Sequence, residues 1–299
     1  MKRQKILVTG CLGFIGTILC RRLLDEGYIV YGVNDVTNDN FNKLKCKSFH
    51  FICSDLTCNE VKNIMPKIHI VFHLAAQTSK FYSENHPLED FTLNATKTIE
   101  LLELVRKYDK RMIMPSSIGL YEGSSSTNPL TEDQISPKTF YSISKRVAEK
   151  YCMAYYKKFN IKVAVFRLSY AYGKTNYRGV VNDIISGLTS IETKIKLFMN
   201  PNNILDMIHV DDIIGAFILA LDNDEIYGKV INLSYGSGIS IKEIIKILSE
   251  ITGKVPKTIL DKNINKEPVT ILMDNSKIQK ILNWKPQIDI RQGMESLAM

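Results

Sequence analysis

Residues 5–16 read Lys-Ile-Leu-Val-Thr-Gly-Cys-Leu-Gly-Phe-Ile-Gly, an apolar run followed by three closely spaced glycines. Lys5–Thr9 has the near-continuous apolar pattern of a buried strand, and Phe14–Glu26 has the pattern of a helix. Without side chains, the glycines let the backbone turn sharply and let a pyrophosphate approach the amino terminus of the helix. The stretch therefore predicts a nucleotide-binding strand–turn–helix unit, although a plain tight turn would use the same residues.

The next predicted strand has a polar end. Tyr28–Asn34 ends about 20 residues beyond the glycines and is followed directly by Asp35. A carboxylate at this place accepts a hydrogen bond from a ribose 2′-hydroxyl and repels a 2′-phosphate. Asp35 therefore favours NAD as the cofactor. NADP stays open, because the same residue could merely cap a loop.

Strand-like and helical patterns alternate through the first half of the chain. The further predicted strands are Lys47–Cys53, Ile68–Leu74, Arg111–Ser116 and Ile161–Leu168. The helices between them include Thr92–Lys107 and Ser142–Lys158. Apolar runs without alternation are typical of parallel strands that are buried on both faces. The pattern predicts an α/β fold with a doubly wound parallel sheet.

The pattern becomes irregular after Gly173, which predicts a second, smaller unit. Val180–Ser190 and Asp211–Leu221 are predicted as helices, and Val230–Leu233 as a strand. We expect residues 1–173 and about 204–235 to form a dinucleotide-binding domain. Residues from about 174–203 and 236–299 are expected to form a substrate-binding lobe.

Composition restricts the class of protein. The 299 residues are 45% hydrophobic and 23% charged, which is typical of a globular protein. The net charge of +8 favours phosphorylated ligands, but Lys and Arg are scattered, so nucleic acid is not an expected partner. The longest apolar run, Ile213–Leu221, is too short to cross a bilayer, so no membrane partner is expected. Six irregularly spaced cysteines and an amino terminus without a signal core predict a cytoplasmic protein without a metal site.

Further motifs follow the glycines in order along the chain. They are Ser54-Asp55-Leu56, His73-Leu74-Ala75-Ala76, Asn94-Ala95-Thr96, Pro115-Ser116-Ser117, Tyr141-Ser142-Ile143-Ser144-Lys145, Arg167-Leu168, His209-Val210-Asp211-Asp212 and Asn283-Trp284-Lys285-Pro286. With these motifs the chain resembles the extended short-chain dehydrogenase/reductases, in particular the NAD-dependent epimerase/dehydratase family that modifies nucleotide sugars. The resemblance implies a Rossmann domain that binds NAD(P), a smaller carboxy-terminal substrate lobe and a homodimer. Thr92–Lys107 and Ser142–Lys158 are expected at the dimer interface, although their apolar stripes could equally be intramolecular core.

The resemblance also assigns roles by position. The expected cofactor contacts are Gly10, Gly13, Phe14, Ile15, Gly16, Asn34, Asp35, Asp55, Leu56, Leu74, Ala75, Ala76, Asn94, Tyr141 and Lys145. The expected substrate contacts, on a nucleotide sugar, are Gln77, Ser117, Tyr141, Tyr170 and Arg178. Asn94 could equally be a buried structural residue.

Ser117, Tyr141 and Lys145 are the expected catalytic residues. Tyr141 and Lys145 are four residues apart on a predicted helix, so they lie on one face. An adjacent ammonium stabilises a phenolate, and we therefore expect Lys145 to lower the pKa of Tyr141 toward neutrality. Such a tyrosine exchanges a proton with a sugar hydroxyl while hydride moves to or from nicotinamide, and Ser117 would hold the same oxygen. Alone, the Tyr-x-x-x-Lys spacing is also that of two unrelated surface residues.

The residues that are missing narrow the reaction. In the sugar-nucleotide dehydratases of the family an Asp-Glu pair follows the catalytic Ser or Thr, and here those places hold Ile118 and Gly119. The related decarboxylases carry Glu at the second place, and the 3,5-epimerases use a nearby Cys that this segment lacks. We therefore expect hydride transfer at C4 of a nucleotide-linked hexose, by a 4-epimerase or by a 4-ketoreductase or dehydrogenase. A non-catalytic NAD(P)-binding regulator and a reductase of a non-nucleotide ketone or alcohol are the alternatives.

Two departures concern the substrate. Many relatives have Asn where Tyr170 stands and Arg where Leu205 stands, and that Arg grips the diphosphate with two hydrogen bonds. A leucine side chain cannot replace these hydrogen bonds. Lys174, Arg178 and Lys266 are the candidate substitutes, and the sequence does not decide among them.

Overall fold

Strands and helices alternate along the chain. A computed structural model describes residues 4–124, 126, 128–174, 176, 179–190, 192–262, 264 and 267–298. The strands in this part of the chain are Lys5–Thr9 (β1), Ile29–Asn34 (β2), Phe49–Cys53 (β3), Ile70–His73 (β4), Arg111–Ser117 (β5), Val163–Leu168 (β6), Tyr170–Tyr172 (β7), Lys194–Leu197 (β8), Ile204–His209 (β9), Val230–Leu233 (β10), Gly238–Ser240 (β11), Lys257–Leu260 (β12) and Thr270–Ile271 (β13). The α-helices are Phe14–Asp25 (α1), Asn40–Leu44 (α2), Asn59–Ile64 (α3), Lys80–Asn85 (α4), Pro87–Phe91 (α5), Lys97–Lys107 (α6), Phe140–Phe159 (α7), Val180–Thr189 (α8), Val210–Ala220 (α9), Ile241–Thr252 (α10), Ser276–Leu282 (α11) and Ile290–Ala298 (α12). None of the described helices combines the length and the hydropathy that crossing a membrane requires.

Seven strands form one parallel sheet in the order β10-β6-β5-β4-β1-β2-β3. Every residue of β4 and β6 is buried, as expected for central strands of a sheet that helices cover on both faces. The strand order reverses at β1, so the crossover connections diverge there and leave a crevice at the carboxyl ends of the strands. The predicted α/β fold with a doubly wound parallel sheet is confirmed.

The strand register brings three turns of the chain together at this edge. Thr9, the last residue of β1, is aligned with Val33 of β2 and with His73 of β4. The amide of Gly10 donates a hydrogen bond to the Val33 carbonyl at 2.8 Å, which fixes the turn after β1 against the end of β2. The segments that follow β1, β2 and β4 therefore lie side by side and form one wall.

The carboxy-terminal half builds a second layer around β9. This strand pairs antiparallel with β11 and parallel with β7 and β13, while β8 pairs with β12. The layer has its own apolar core, which includes Leu188, Ile195, Leu205, Ile244 and Leu248. Of the segment 204–235, β10 joins the seven-stranded sheet whereas β9 belongs to the smaller one. The division into a dinucleotide-binding domain and a substrate lobe stays a prediction.

One predicted helix is interrupted. The stretch expected as a single helix over Thr92–Lys107 consists of a π turn at Thr92–Thr96 followed by α6. The Thr98 hydroxyl donates to the Asn94 carbonyl at 2.7 Å, and the Asn94 side chain accepts from the backbone amide of Gln77 at 2.9 Å. The wider π turn thus orients the side-chain amide of Asn94 toward the segment that follows β4. Single π turns in helices are frequent at functional sites.

A buried ion pair joins α7 to the sheet. The guanidinium of Arg167 on β6 donates to both carboxylate oxygens of Glu149 on α7, at 2.8 and 2.9 Å, and both side chains are fully buried. Arg167 also donates to the Tyr121 hydroxyl at 2.9 Å, which in turn donates to Asn232 on β10 at 2.7 Å. This network connects the catalytic helix predicted from the sequence to β6 and β10.

Removal of the carboxylate tests this connection. Glu149→Ala leaves the Arg167 charge buried and unpaired, so we expect the free energy of unfolding to fall by about 3–5 kcal/mol. Urea unfolding measures this change. Glu192→Ala, which breaks an exposed pair with Lys194, is the control and should cost less than about 1 kcal/mol. Equal losses of stability from the two substitutions would show that Glu149 and Arg167 do not form a buried ion pair that joins α7 to the sheet.

Candidate active site

The glycine-rich turn lies against the end of β4. Gly10 has a φ of +66°, and a Cβ there would lie 2.7 Å from the backbone nitrogen of Ala75. A Cβ on Gly16 would overlap the carbonyl oxygen of Gly10. Glycine is therefore required at both positions, because α1 begins in direct contact with the turn before it. The sharp turn predicted from the sequence is present.

A cleft of about 1630 Å³ opens above the carboxyl ends of β1, β2, β4 and β5. The predicted site residues that line it are Gly10, Gly13, Phe14, Ile15, Gly16, Asn34, Asp35, Asp55, Leu56, Leu74, Ala75, Ala76, Gln77, Ser117, Tyr141, Lys145 and Tyr170. Asn94 lies beneath the wall instead, and Arg178 lies outside the described residues. Residues that are far apart in sequence thus meet in one cavity.

The end of the cleft near β2 carries the expected acidic side chain. Asn34 donates from its amide to the carboxylate of Asp35 at 3.2 Å, and its carbonyl oxygen accepts from the Leu12 amide at 3.4 Å. The Asp35 carboxylate is exposed at this rim. Two residues not predicted from the sequence, Asn38 and Asn40, donate to the Leu12 carbonyl at 3.3 and 3.0 Å. They hold the glycine turn, and nothing in their spacing indicates it.

The three predicted catalytic residues come together from two elements. Ser117 ends β5, and its hydroxyl lies beside the phenol of Tyr141, near the start of α7. The amide of Gly119 donates to the Ser117 oxygen at 3.0 Å. One turn further along α7, the Lys145 ammonium donates to the Pro115 carbonyl at 2.8 Å. The helix begins at a capping box formed by Thr139 and Ser142, which fixes where both side chains enter the cleft.

Burial decides the charge states of this group. Desolvation raises the pKa of Tyr141 above its ordinary value, although the neighbouring Ser117 hydroxyl opposes the shift. The expectation that Lys145 lowers this pKa toward neutrality is therefore wrong for the structure, in which the ammonium is bonded to the Pro115 carbonyl. Desolvation also lowers the pKa of Lys145 to about 8, against the attraction of Glu149. Both groups thus lie in surroundings that favour their neutral forms.

A layer of buried polar side chains supports the wall from below. Asn94 donates to the carboxylate of Asp90 at 2.9 Å and to the hydroxyl of Ser144 on α7 at 3.2 Å. The same carboxylate oxygen accepts from Ser83 at 2.8 Å and from the amide of Gln77 at 3.3 Å. Asn94 therefore ties the segment after β4 to α7, and its expected contact with a cofactor stays a prediction. Asp90 was not predicted, because its position in a short helix carries no motif.

The two positions at which the sequence departs from many relatives, Tyr170 and Leu205, are placed differently. Leu205 is 3% exposed and belongs to the core of the second layer, while Tyr170 lines both the cleft and a smaller pocket beside it. Burial raises the pKa of Tyr170 to about 12. Of the suggested substitutes for the missing arginine, Lys174 is exposed, and Arg178 and Lys266 lie outside the described residues.

The pKa of Lys145 gives a test by unfolding. Because this pKa is lowered from 10.5 to about 8, the unfolded chain binds more protons than the folded one between these pH values. Stability from this group therefore rises with pH across that window. Lys145→Met removes the buried ammonium and with it this pH dependence. The free energy of unfolding of the variant minus that of the parent should therefore be largest at about pH 7 and should decline toward about pH 10. Urea unfolding of both proteins measures this difference. If it did not change with pH, the lowered pKa of Lys145 would be contradicted.

Comparison with known proteins agrees with this geometry. The model of the NAD dependent epimerase/dehydratase family matches residues 6–234. The UDP-glucuronate 4-epimerase of Thermodesulfobacterium geofontis is 32% identical over 307 residues, which cover 97% of this chain and 93% of that protein.

Solved structures show the same fold. The structure of UDP-glucuronic acid 4-epimerase from Bacillus cereus, in complex with UDP-glucuronic acid and NAD, has a TM-score of 0.90 and 28% identity, covering 98% of this chain and 97% of its own. UDP-glucose 4-epimerase from Thermotoga maritima, with UDP-glucose, has a TM-score of 0.87 and 26% identity, covering 99% and 97%. Since motifs, fold and relatives agree over nearly its whole length, the chain belongs to the NAD-dependent epimerase/dehydratase family.

Proposed function

We propose that this protein is a C4 epimerase of nucleoside-diphosphate hexoses. The observation that carries the proposal is that Ser117, Tyr141 and Lys145, one turn from Tyr141 on α7, line the same cleft as the glycine turn. The relatives named above are 4-epimerases of UDP-glucuronate and UDP-glucose, which supports both the carbon and the class of substrate.

NAD is the cofactor of this family, and the residues of the cleft fit it. The turn between Gly10 and Gly16 lines the cleft at the start of α1, where amides of the helix would bind a pyrophosphate, and Asp35 lines it at the end of β2, where a ribose 2′-hydroxyl would be bound. When bound, NAD supplies reversible hydride chemistry at the sugar carbon. We propose that Asp55 and Leu56 flank its adenine and that Ala75 and Ala76 line its path toward Tyr141.

The residues of this chain handle the proton. Tyr141 takes the proton from the C4 hydroxyl and later returns it, and Ser117 holds the same oxygen in place. Lys145, one turn further along α7 and held by the Pro115 carbonyl, contacts the cofactor beside Tyr141 in this proposal. Inversion at C4 requires the hydride to return to the opposite face of the sugar, so the sugar has to turn within the cleft.

Other reactions of the family need a second acid or base next to Ser117. Ile118 is buried and apolar, and Gly119 has no side chain. The carboxylate of Glu122 lies close to Gly119, but it accepts from the Thr139 hydroxyl at 3.0 Å and is paired with Lys80. The arrangement therefore favours epimerisation over dehydration or decarboxylation.

We also propose a homodimer in a reducing cytoplasm. Exposed apolar side chains on α5 and α7, namely Leu88, Phe140, Ile143 and Phe159, support an interface on this face. The six cysteines are all unpaired, which supports the reducing compartment.

Turnover with a tyrosine variant tests the function. We expect the parent protein with NAD to convert UDP-glucose or UDP-glucuronate into its C4 epimer, detected by NMR. Tyr141→Phe removes only the phenolic oxygen and should reduce single-turnover hydride transfer about 10²–10⁴-fold, with NAD binding retained. Tyr108→Phe, at the end of α6, is the control and should behave like the parent. A rate within about threefold of the parent would show that Tyr141 is not the acid–base group. NAD binding without turnover of any nucleotide sugar would favour the non-catalytic regulator.

The cofactor preference tests Asp35. We expect NAD to bind more tightly than NADP, because the carboxylate repels a 2′-phosphate, and Asp35→Ala should narrow the difference. Calorimetric titration with both dinucleotides measures it, with Asp25→Ala at the far end of α1 as control. Equal affinities in the parent would instead indicate that Asn34 faces the ribose and that Lys43 binds the phosphate.

A further inference from the structure

A small pocket of about 180 Å³ opens from the cleft toward the second layer. Its floor is apolar and includes Met199, Leu205, Val269 and Ile271. Lys80 lines both the cleft and this pocket, so its side chain lies where the two join. Among the described residues that line the pocket, Lys80 is the only cation.

The Lys80 ammonium is held at this junction by an acidic partner. It forms an ion pair with Glu122, whose other oxygen accepts from the Thr139 hydroxyl at 3.0 Å. The Glu122 side chain is 14% exposed and that of Lys80 is 47% exposed, so the carboxylate is the fixed member of the pair. An ammonium has three donors, and its ion pair with Glu122 occupies at most one of them. The others are available on the open side of the junction.

The junction lies beside the proton-transfer group. A Cβ built on Gly119 would be 3.5 Å from the Glu122 carboxylate and also 3.5 Å from the ring of Tyr141. A sugar bound with its C4 hydroxyl at Tyr141 therefore places its neighbouring substituents within reach of Lys80. The group on C6 is attached to C5, next to C4, while the diphosphate on C1 lies across the sugar ring, within the span of a long lysine side chain.

The other described lysines of the cleft are engaged elsewhere. Lys97 is paired with Asp55 at 3.1 Å, Lys43 donates to Asn40 at 2.9 Å, and Lys145 donates to the Pro115 carbonyl. All three lie on the cofactor side. Leu205 occupies the place from which an arginine would reach a diphosphate.

We propose that Lys80, held by Glu122, binds an oxyanion of the substrate and is the main determinant of its affinity on this side of the cleft. The inference rests on the proposed function, and it assigns to Lys80 an oxyanion of the bound nucleotide sugar. That oxyanion is either a carboxylate at C6 of the hexose or a phosphate of the diphosphate. Both are bound by an ammonium in the same way.

Lys80→Gln tests the proposal, since the amide can still donate to Glu122 while the charge is lost. Calorimetric affinities of the NAD-loaded protein for UDP-glucuronate and UDP-glucose, together with KM and kcat, are the readouts. We expect the loss of a charged hydrogen bond to weaken binding about tenfold and to raise KM with little change in kcat. Lys80→Arg should restore most of the affinity. Lys194→Gln, on a lysine of similar exposure that is paired with Glu192 away from the cleft, should have no effect.

The two substrates distinguish the source of the oxyanion. A loss for both indicates the diphosphate, and a loss for UDP-glucuronate alone indicates the carboxylate. Unchanged affinities for both, with NAD binding intact, would overturn the inference while leaving the epimerase proposal in place. Absence of turnover in the parent protein would instead overturn the proposed function, and the affinities would still decide the role of Lys80.

Discussion

The close approach of two backbone segments, the glycine turn after β1 and the end of β4, is the constraint on which the rest of the structure depends. A Cβ at Gly10 would meet the Ala75 backbone at 2.7 Å, and a Cβ at Gly16 would overlap the turn itself. Only because these side chains are missing can α1 begin directly above β1 and leave the carboxyl edge of the sheet open. The cleft, its cofactor end and its catalytic end all follow from that opening.

The catalytic end depends on polar contacts made below the cleft. Lys145 and Glu149 are one turn apart on α7, and Glu149 is bonded to the buried Arg167 of β6. Asn94, in its π turn, links the same helix to the segment after β4. Burying these groups costs solvation energy, which the paired geometry offsets. The result is a phenol and an ammonium held in place in surroundings that raise the pKa of the first and lower that of the second.

Local pattern was sufficient to predict the sheet, and the order of the motifs was sufficient to predict that Ser117, Tyr141 and Lys145 line one cleft. β1 and β10 have the predicted bounds, because apolar runs bordered by polar turns identify buried strands. The grouping of Ser117 with Tyr141 followed from motif order. The π turn at Asn94 was not predictable, since it depends on hydrogen bonds to Gln77 that only the fold creates. The pairing of Lys80 with Glu122 and the pKa of Tyr141 were missed for the same reason, because burial and long-range neighbours decide both.

The central claim is that one site removes the hydrogen at C4 of a nucleotide sugar and returns it to the same carbon. The most direct measurement follows the label from UDP-glucose that carries deuterium at C4, in ordinary water, with mass spectrometry and NMR of the product. The account predicts a C4 epimer that retains the deuterium at C4, with no accumulation of NADH. Loss of the deuterium to solvent, or a ketone product with labelled NADH, would contradict it.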